Sequence, residues 1–205
     1  ECALPATRRC IAHRLTEGRE KSAAALNVLL TKAAADAKWQ PDVLGGMRDA
    51  LKGERKATPP SAWDKAAAIF AKSTDGKAQD DFRALGAIYA DPLALEAIRG
   101  TAMDSTKNVE ARRSALRSLI DSRATGLRSV CEKVLTVPGL SATAADGLAL
   151  EEDPAVADAV LAKLAAMSPA ERPAVLSALI ARPAWAARVL DAVAGRHMLA
   201  VQDIG

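Results

Sequence analysis

Asp91-Pro-Leu-Ala-Leu-Glu-Ala-Ile98 returns, loosely rewritten, as Gly126-Leu-Arg-Ser-Val-Cys-Glu-Lys-Val134, as Asp153-Pro-Ala-Val-Ala-Asp-Ala-Val-Leu161 and as Pro183-Ala-Trp-Ala-Ala-Arg-Val-Leu190. The starts of these segments lie about thirty residues apart, and each reads as the second helix of a pair. A period of this size predicts a stacked helical array, in which no unit buries its apolar face alone. Such an array offers a surface for holding a partner more readily than an enclosed catalytic pocket.

The composition agrees with helices. Half of the 205 residues are apolar, much of that share is alanine, and aromatics make up only 3%. Alanine has the best helix propensity and lets helices approach closely, so the expected fold is all-α. One continuous body over residues 1–205 is expected.

Outside the four repeats the apolar spacing predicts helices over Thr7–Glu17 and Arg19–Lys38, the latter with Ala25, Leu26, Leu29 and Leu30 on one face. Pro41 opens another, which buries Val43, Leu44, Met47 and Leu51. The charged, proline-ended run Gly53–Pro60 predicts a surface loop. Ser61 is expected to cap a helix carrying Trp63, Ala67 and Phe70, stopped by Ser73-Thr-Asp-Gly, and Lys77–Tyr89 is the next helix. Asp91-Pro and Asp153-Pro each set an N-cap residue before a first-turn proline, and Ser168, Pro169 and Glu171 spell a capping box. Leu116, Leu119 and Ile120 recur at helical spacing, as do Val156, Val160 and Leu164. Val175, Leu176, Leu179 and Ile180 pair with Trp185, Val189, Leu190 and Val193 across Arg182-Pro183 as an antiparallel hairpin. The count is about six pairs.

Charge excludes little but weights the choices. Lys plus Arg number 28 against 25 Asp plus Glu, for a net +3. Residues 1–60 hold eleven basic and seven acidic side chains, and residues 151–205 hold five and seven. This mild gradient is far from the basic stripe with which a nucleic-acid binder neutralises phosphates. No run approaches eighteen consecutive apolar residues, so no membrane insertion is expected. Cys2, Cys10 and Cys131 make no disulfide framework and leave the compartment open. The chain begins at Glu1 without a basic-then-apolar leader and reads as a piece of something longer.

In their order, four phrases carry a resemblance: Cys10-Ile-Ala-His-Arg-Leu-Thr-Glu-Gly-Arg19, Pro59-Pro-Ser-Ala-Trp63, Glu110-Ala-Arg-Arg-Ser-Ala-Leu-Arg-Ser-Leu-Ile120 and Ala181-Arg-Pro-Ala-Trp-Ala-Ala-Arg-Val-Leu-Asp-Ala-Val193. The arrangement looks like HEAT or armadillo-type repeats, and the phrases resemble the HEAT-like segment of large planctomycete and verrucomicrobial haem-binding dehydrogenases. That resemblance implies a right-handed α-solenoid of HEAT-like hairpins between a β-propeller domain and a c-type cytochrome domain, in a periplasmic or exported protein. The implied partners are protein, or the flanking domains of the parent. No Cys-x-x-Cys-His run occurs in this chain, so the family's haem is not carried over and no cofactor is expected here.

Candidate sites weigh against structural readings. Cys10 and His13 share a helical face, but a stable metal site wants three or four ligands and the other histidine, His197, is remote in sequence. The plainer reading is a buried thiol beside a partly exposed imidazole. Arg112, Arg113, Arg117 and Arg128, with Arg123 nearby, could form a basic docking strip for carboxylates or phosphates. They could equally pair with Asp104, Asp121 or Asp146 as structural ion pairs. Trp63 and Trp185 fall on buried faces, and Trp39 at an element boundary is the tryptophan expected nearest the surface. Gly45-Gly46 inside a helix predicts a close helix crossing. No nucleophile, base and orienter set is specified, and neither catalytic residues nor a small-molecule substrate are expected. The rival to a spacer is a HEAT-type nucleic-acid module resembling alkylpurine DNA glycosylases.

Overall fold

The computed structural model describes residues 4–194, so Cys2 and His197 lie outside the described residues, as does the side chain of Val193. It is all-helical, with twelve α-helices, 73% helix and no strand among the described residues. Backbone contacts divide the chain into two compact units, Glu1–Ile98 and Arg99–Gly205.

The first unit holds α1 (Pro5–Glu17), α2 (Arg19–Ala35), α3 (Gln40–Ala50), α4 (Trp63–Phe70), α5 (Gly76–Tyr89) and the start of α6 (Pro92–Met103). Helix α2 stops three residues before the expected Lys38. Asp36 turns extended there, and its carboxylate accepts the Lys38 N–H at 3.0 Å, opening a 3₁₀ turn over Ala37–Trp39. Residues 53–60 carry no regular secondary structure. Helix α1 packs on α3 and α3 on α5, while α2 packs on α1 and α4.

Small residues let α1 and α3 cross. A methyl group on Gly46 would lie 2.2 Å from the Arg9 carbonyl oxygen and 2.8 Å from Ala12 Cβ, so the two backbones nearly touch, as Gly45-Gly46 predicted. Around this crossing Leu26, Leu30, Leu44 and Met47 are fully buried. Trp63 closes the other end of the core, 1% exposed, with Phe82 stacked at 5.9 Å and Tyr89 edge-on at 4.7 Å. Aromatic pairs at such spacings add about 0.5–1.5 kcal/mol each beyond area burial.

The second unit holds α7 (Val109–Asp121), α8 (Leu127–Val134), α9 (Ser141–Leu148), α10 (Ala155–Lys163), α11 (Arg172–Ile180) and α12 (Pro183–Ala194). Here α7 packs on α9 and α9 on α11, while α10 packs on α12. The four opening repeats thus fall on α6, α8, α10 and α12. Val175, Leu176, Leu179, Trp185 and Val189 are buried, but Ile180 is 55% and Leu190 68% exposed, so the apolar face of this hairpin is narrower than the sequence suggested.

Helix starts divide into two kinds. Asp91 caps α6 as expected: its carboxylate accepts the Ala94 N–H at 2.9 Å and the Trp63 indole N–H at 2.8 Å. Ser61 does not cap α4. Asn27 of α2 reaches over instead, accepting the Ala62 N–H at 2.9 Å and donating to the Ser61 hydroxyl at 2.9 Å. The Ser168–Glu171 capping box does not form either. Glu171 turns away from its own helix and accepts the N–H groups of Gly139 at 3.0 Å and Ser141 at 3.2 Å, at the start of α9. A backbone bond from Glu171 N–H to the Ser168 carbonyl, 3.0 Å, shapes the turn that a side-chain box would have made. Asp153 is intermediate, accepting the Ala155 N–H at 2.9 Å as a local turn.

Candidate functional site

Three of the four strip arginines project from α7. Arg112 is buried, and its Nε donates to the Ala102 carbonyl at 3.1 Å near the end of α6, where a cation meets unsatisfied helix carbonyls. Asp104 lies close by, its carboxyl held low by hydrogen bonds from Thr106 and, more weakly, by the charges of Lys107 and Arg112. Arg113 donates to the Gly139 carbonyl at 3.0 Å and pairs with Glu110 at 2.6 Å. Arg117 is exposed, near Asp146, whose carboxyl is pushed up by burial and drawn partly back by Arg117. On α8, Arg128 bonds Glu132 at 2.9 Å and faces Asp153 at 3.5 Å, and these acids hold its guanidinium more firmly protonated. Arg123 sits exposed just past α7 with a positive φ of 48°. Arg112, Arg113 and Arg128 are therefore engaged in structural contacts, and Arg117 is the most open of the four.

In the first unit the charges form a ladder across α1, α3 and α5. Arg8 pairs with Asp42 at 2.6 Å, Arg9 with Asp49 at 2.7 Å, and Arg48 with Asp81 at 2.6 Å. Asp81 is only 2% exposed and is also faced by Lys77 at 3.5 Å. A buried carboxylate of this kind persists because two cations and their hydrogen bonds offset its desolvation. Trp39 is half-buried, with the Arg8 guanidinium 5.2 Å and the Lys32 ammonium 5.9 Å from its ring centre, which matches its expected place near the surface. Cys10 is exposed, not buried as expected, and His13 faces Glu17 at 3.6 Å. Among the described residues no group of three His, Cys, Asp or Glu side chains is placed to hold a metal ion. The buried thiol is Cys131, whose pKa burial pushes up to about 12, with Glu132 and Glu151 adding to the shift.

A concavity that the sequence analysis did not single out lies beside α2. It has a volume of about 500 Å³, within the usual range for ligand clefts. One wall is α2, with Arg19, Glu20, Ala23 and Asn27; the other is the irregular segment Lys56–Ser61. Arg19 and Glu54 form a two-pronged pair at 3.1 and 3.0 Å. Asn27, already spent on Ser61 and Ala62, pins the far end of the segment. Tyr89 lies close enough to feel both Arg19 and Glu54, and burial pushes its hydroxyl pKa up. The signal for this site was available in the sequence. Arg19 with Glu54 and Asn27 with Ser61 are opposite or complementary groups separated by 35 and 34 residues, close to the repeat period. No helix among the described residues is long and apolar enough to cross a membrane. Compared with family models, curated proteins and solved structures, the chain matches none of them.

Proposed function

We propose that this chain is a non-catalytic scaffold and interaction module, a right-handed α-solenoid of HEAT-like hairpins that spaces and docks neighbouring parts of a larger redox protein. The observation that carries the stacking reading is the packing of helices two places apart within each unit: α1 on α3 on α5 and α2 on α4 in the first, α7 on α9 on α11 and α10 on α12 in the second. Layered hairpins pack in this way, each completing the core of the one before. Helix starts closed by side chains from another hairpin support the same reading. The redox context is supported by the ordered phrases between Cys10 and Val193.

Truncation tests the stacking. A chain ending at Met167, without α11 and α12, keeps helicity in proportion to its length if stability is local and nearest-neighbour. Loss of most of the helical circular-dichroism signal would refute the array. The redox context is tested by the sequence flanking this chain in its gene product: a Cys-x-x-Cys-His run downstream with a propeller pattern upstream supports it, and their absence removes it. The nucleic-acid alternative predicts saturable, salt-dependent anisotropy changes with duplex DNA. The burial of Arg112 and the acid partners of Arg128 weigh against it.

A further inference from the structure

We infer that the groove between α2 and residues 56–60 takes an extended acidic peptide, paired backbone to backbone with Lys56 and Thr58. This gives the interaction module a partner and rests on that reading. The wall of the groove is unusual for a helical protein. Ala57 donates its N–H to the Ile88 carbonyl at 3.1 Å at the end of α5, and its side chain packs against the core. Thr58 and Pro59 each precede a proline, which holds both in extended conformations. In an extended chain the N–H and C=O groups of alternate residues face opposite edges. Ala57 spends its N–H on α5, and the backbone groups of Lys56 and Thr58 on either side of it form no hydrogen bond among the described residues. Both residues are exposed and line the groove. The segment is thus a short, unpaired edge held in place at both ends, by the Ile88 carbonyl and by Asn27, and such an edge accepts a peptide by strand addition. Pro59 and Pro60 have no N–H to give, which confines the pairing to Lys56 and Thr58.

Charge selects the peptide. Lys56, which lines the groove, and Lys52 and Arg55, which lie outside it on the segment leading in, are exposed and make no ion pair among the described residues. Glu54, the acid between them, is occupied by Arg19. Glu20 is the one acid lining the groove. Ala23, exposed on α2, lines the groove with an apolar patch suited to a small aliphatic side chain.

The experiment is a titration of the ¹⁵N-labelled full chain with two blocked peptides, Ac-Glu-Val-Glu-Val-Glu-NH2 and Ac-Lys-Val-Lys-Val-Lys-NH2, followed by amide chemical shifts. The acidic peptide shifts the Lys56 and Thr58 amide protons downfield and saturably while Ala57, already bonded, moves little. The basic peptide binds at least about tenfold more weakly, because it meets the same cations as like charges. Ala23→Phe fills the groove from an exposed helix position and abolishes the shifts with the melting temperature retained. Lys56→Glu weakens the acidic peptide about fivefold or more. Absence of saturable shifts at millimolar acidic peptide, equal binding of the basic one, or undiminished binding to folded Ala23→Phe each overturns the proposal. None of these results bears on the truncation test, so the groove and the scaffold reading fail separately.

Discussion

Replacing Gly46 with alanine forces a methyl group into the crossing of α1 and α3. Its Cβ would sit 2.2 Å from the Arg9 carbonyl oxygen, 2.8 Å from Ala12 Cβ and 3.0 Å from the His13 nitrogen. Two of these three atoms are backbone, so no side-chain rotation relieves the overlap. Helix α1 has to withdraw from α3 by most of an ångström. That loosens Ala12, now fully buried, and stretches the Arg8–Asp42 and Arg9–Asp49 pairs. Overpacking of this kind costs about 1–3 kcal/mol. Against it stands the ordinary preference for alanine over glycine inside a helix, about 1 kcal/mol. With backbone atoms in the way the cost falls in the upper part of that range, about 2–3 kcal/mol, so the expected net effect is a loss of about 1–2 kcal/mol, opposite in sign to what propensity alone dictates. Gly76 supplies the control, since a methyl there meets nothing within 4 Å, and Gly76→Ala is expected to stabilise by about 0.4–1 kcal/mol. Urea unfolding followed by tryptophan fluorescence in a Trp185→Phe background reads the first unit alone, because Trp39 and Trp63 both belong to it. If Gly46→Ala unfolds at the same or higher urea concentration than the parent, the close crossing does not exist.

Other substitutions separate structural from open groups. Glu171→Ala removes the acceptor for Gly139 and Ser141 and is expected to destabilise by about 1–2 kcal/mol in urea unfolding followed by circular dichroism, as loss of a helix cap does; an unchanged midpoint rules out the cross-hairpin cap. Arg112→Ala strips the buried contact to the Ala102 carbonyl and costs about 1–3 kcal/mol, whereas Arg117→Ala stays within about 0.5 kcal/mol, a contrast that calorimetric melting resolves. Burial raises the Cys131 pKa in the folded chain to about 12, while the unfolded thiol ionises near its ordinary value of 9.0. The unfolded state then binds fewer protons, so this group's contribution is intact below pH 9 and is lost progressively as pH rises toward 12. Ellman's reagent is accordingly expected to label Cys10 in the native chain at pH 8 and Cys131 only after unfolding; rapid native labelling of Cys131, followed by peptide mapping, would contradict its burial.

Which features were readable from sequence depended on the distance between the groups that create them. Helix periodicity, the Gly45-Gly46 crossing, the buried faces of Trp63 and Trp185 and the Asp91 cap to Ala94 all arise within a few residues or from one residue's own shape. Ser61 and the Ser168–Glu171 box misled for the opposite reason. Their local spacing was right, but the hydrogen-bond partners came from Asn27, 35 residues before Ala62, and from Glu171, 30 residues after Ser141. A capping rule that counts three residues ahead cannot see a competitor one repeat away. The same blindness affected the arginine strip: three arginines on α7 share a helix, yet Arg112 points to a carbonyl of α6 and Arg113 to a carbonyl ahead of α9. Exposure of Cys10, Ile180 and Leu190 likewise depends on which neighbouring helix is present on that side, information that amphipathic spacing does not contain.

The cross-hairpin caps impose an order on synthesis. The start of α4 is closed by Asn27, which has left the ribosome before Ser61 and Ala62 arrive, so that helix finds its acceptor waiting. The start of α9 is closed by Glu171, which follows Ser141 by 30 residues. At about 5–20 residues per second, roughly 2–6 s pass in which the Gly139 and Ser141 N–H groups have only water to bond. During that interval the nascent second unit has α7 and α8 in hand and is adding α9 and α10, but lacks the carboxylate that fixes where α9 begins, whereas the first unit meets no such wait at α4. A pause in translation between residues 141 and 171 would therefore prolong a half-capped intermediate in the second unit, while a pause between residues 62 and 98 would leave the α4 start already closed.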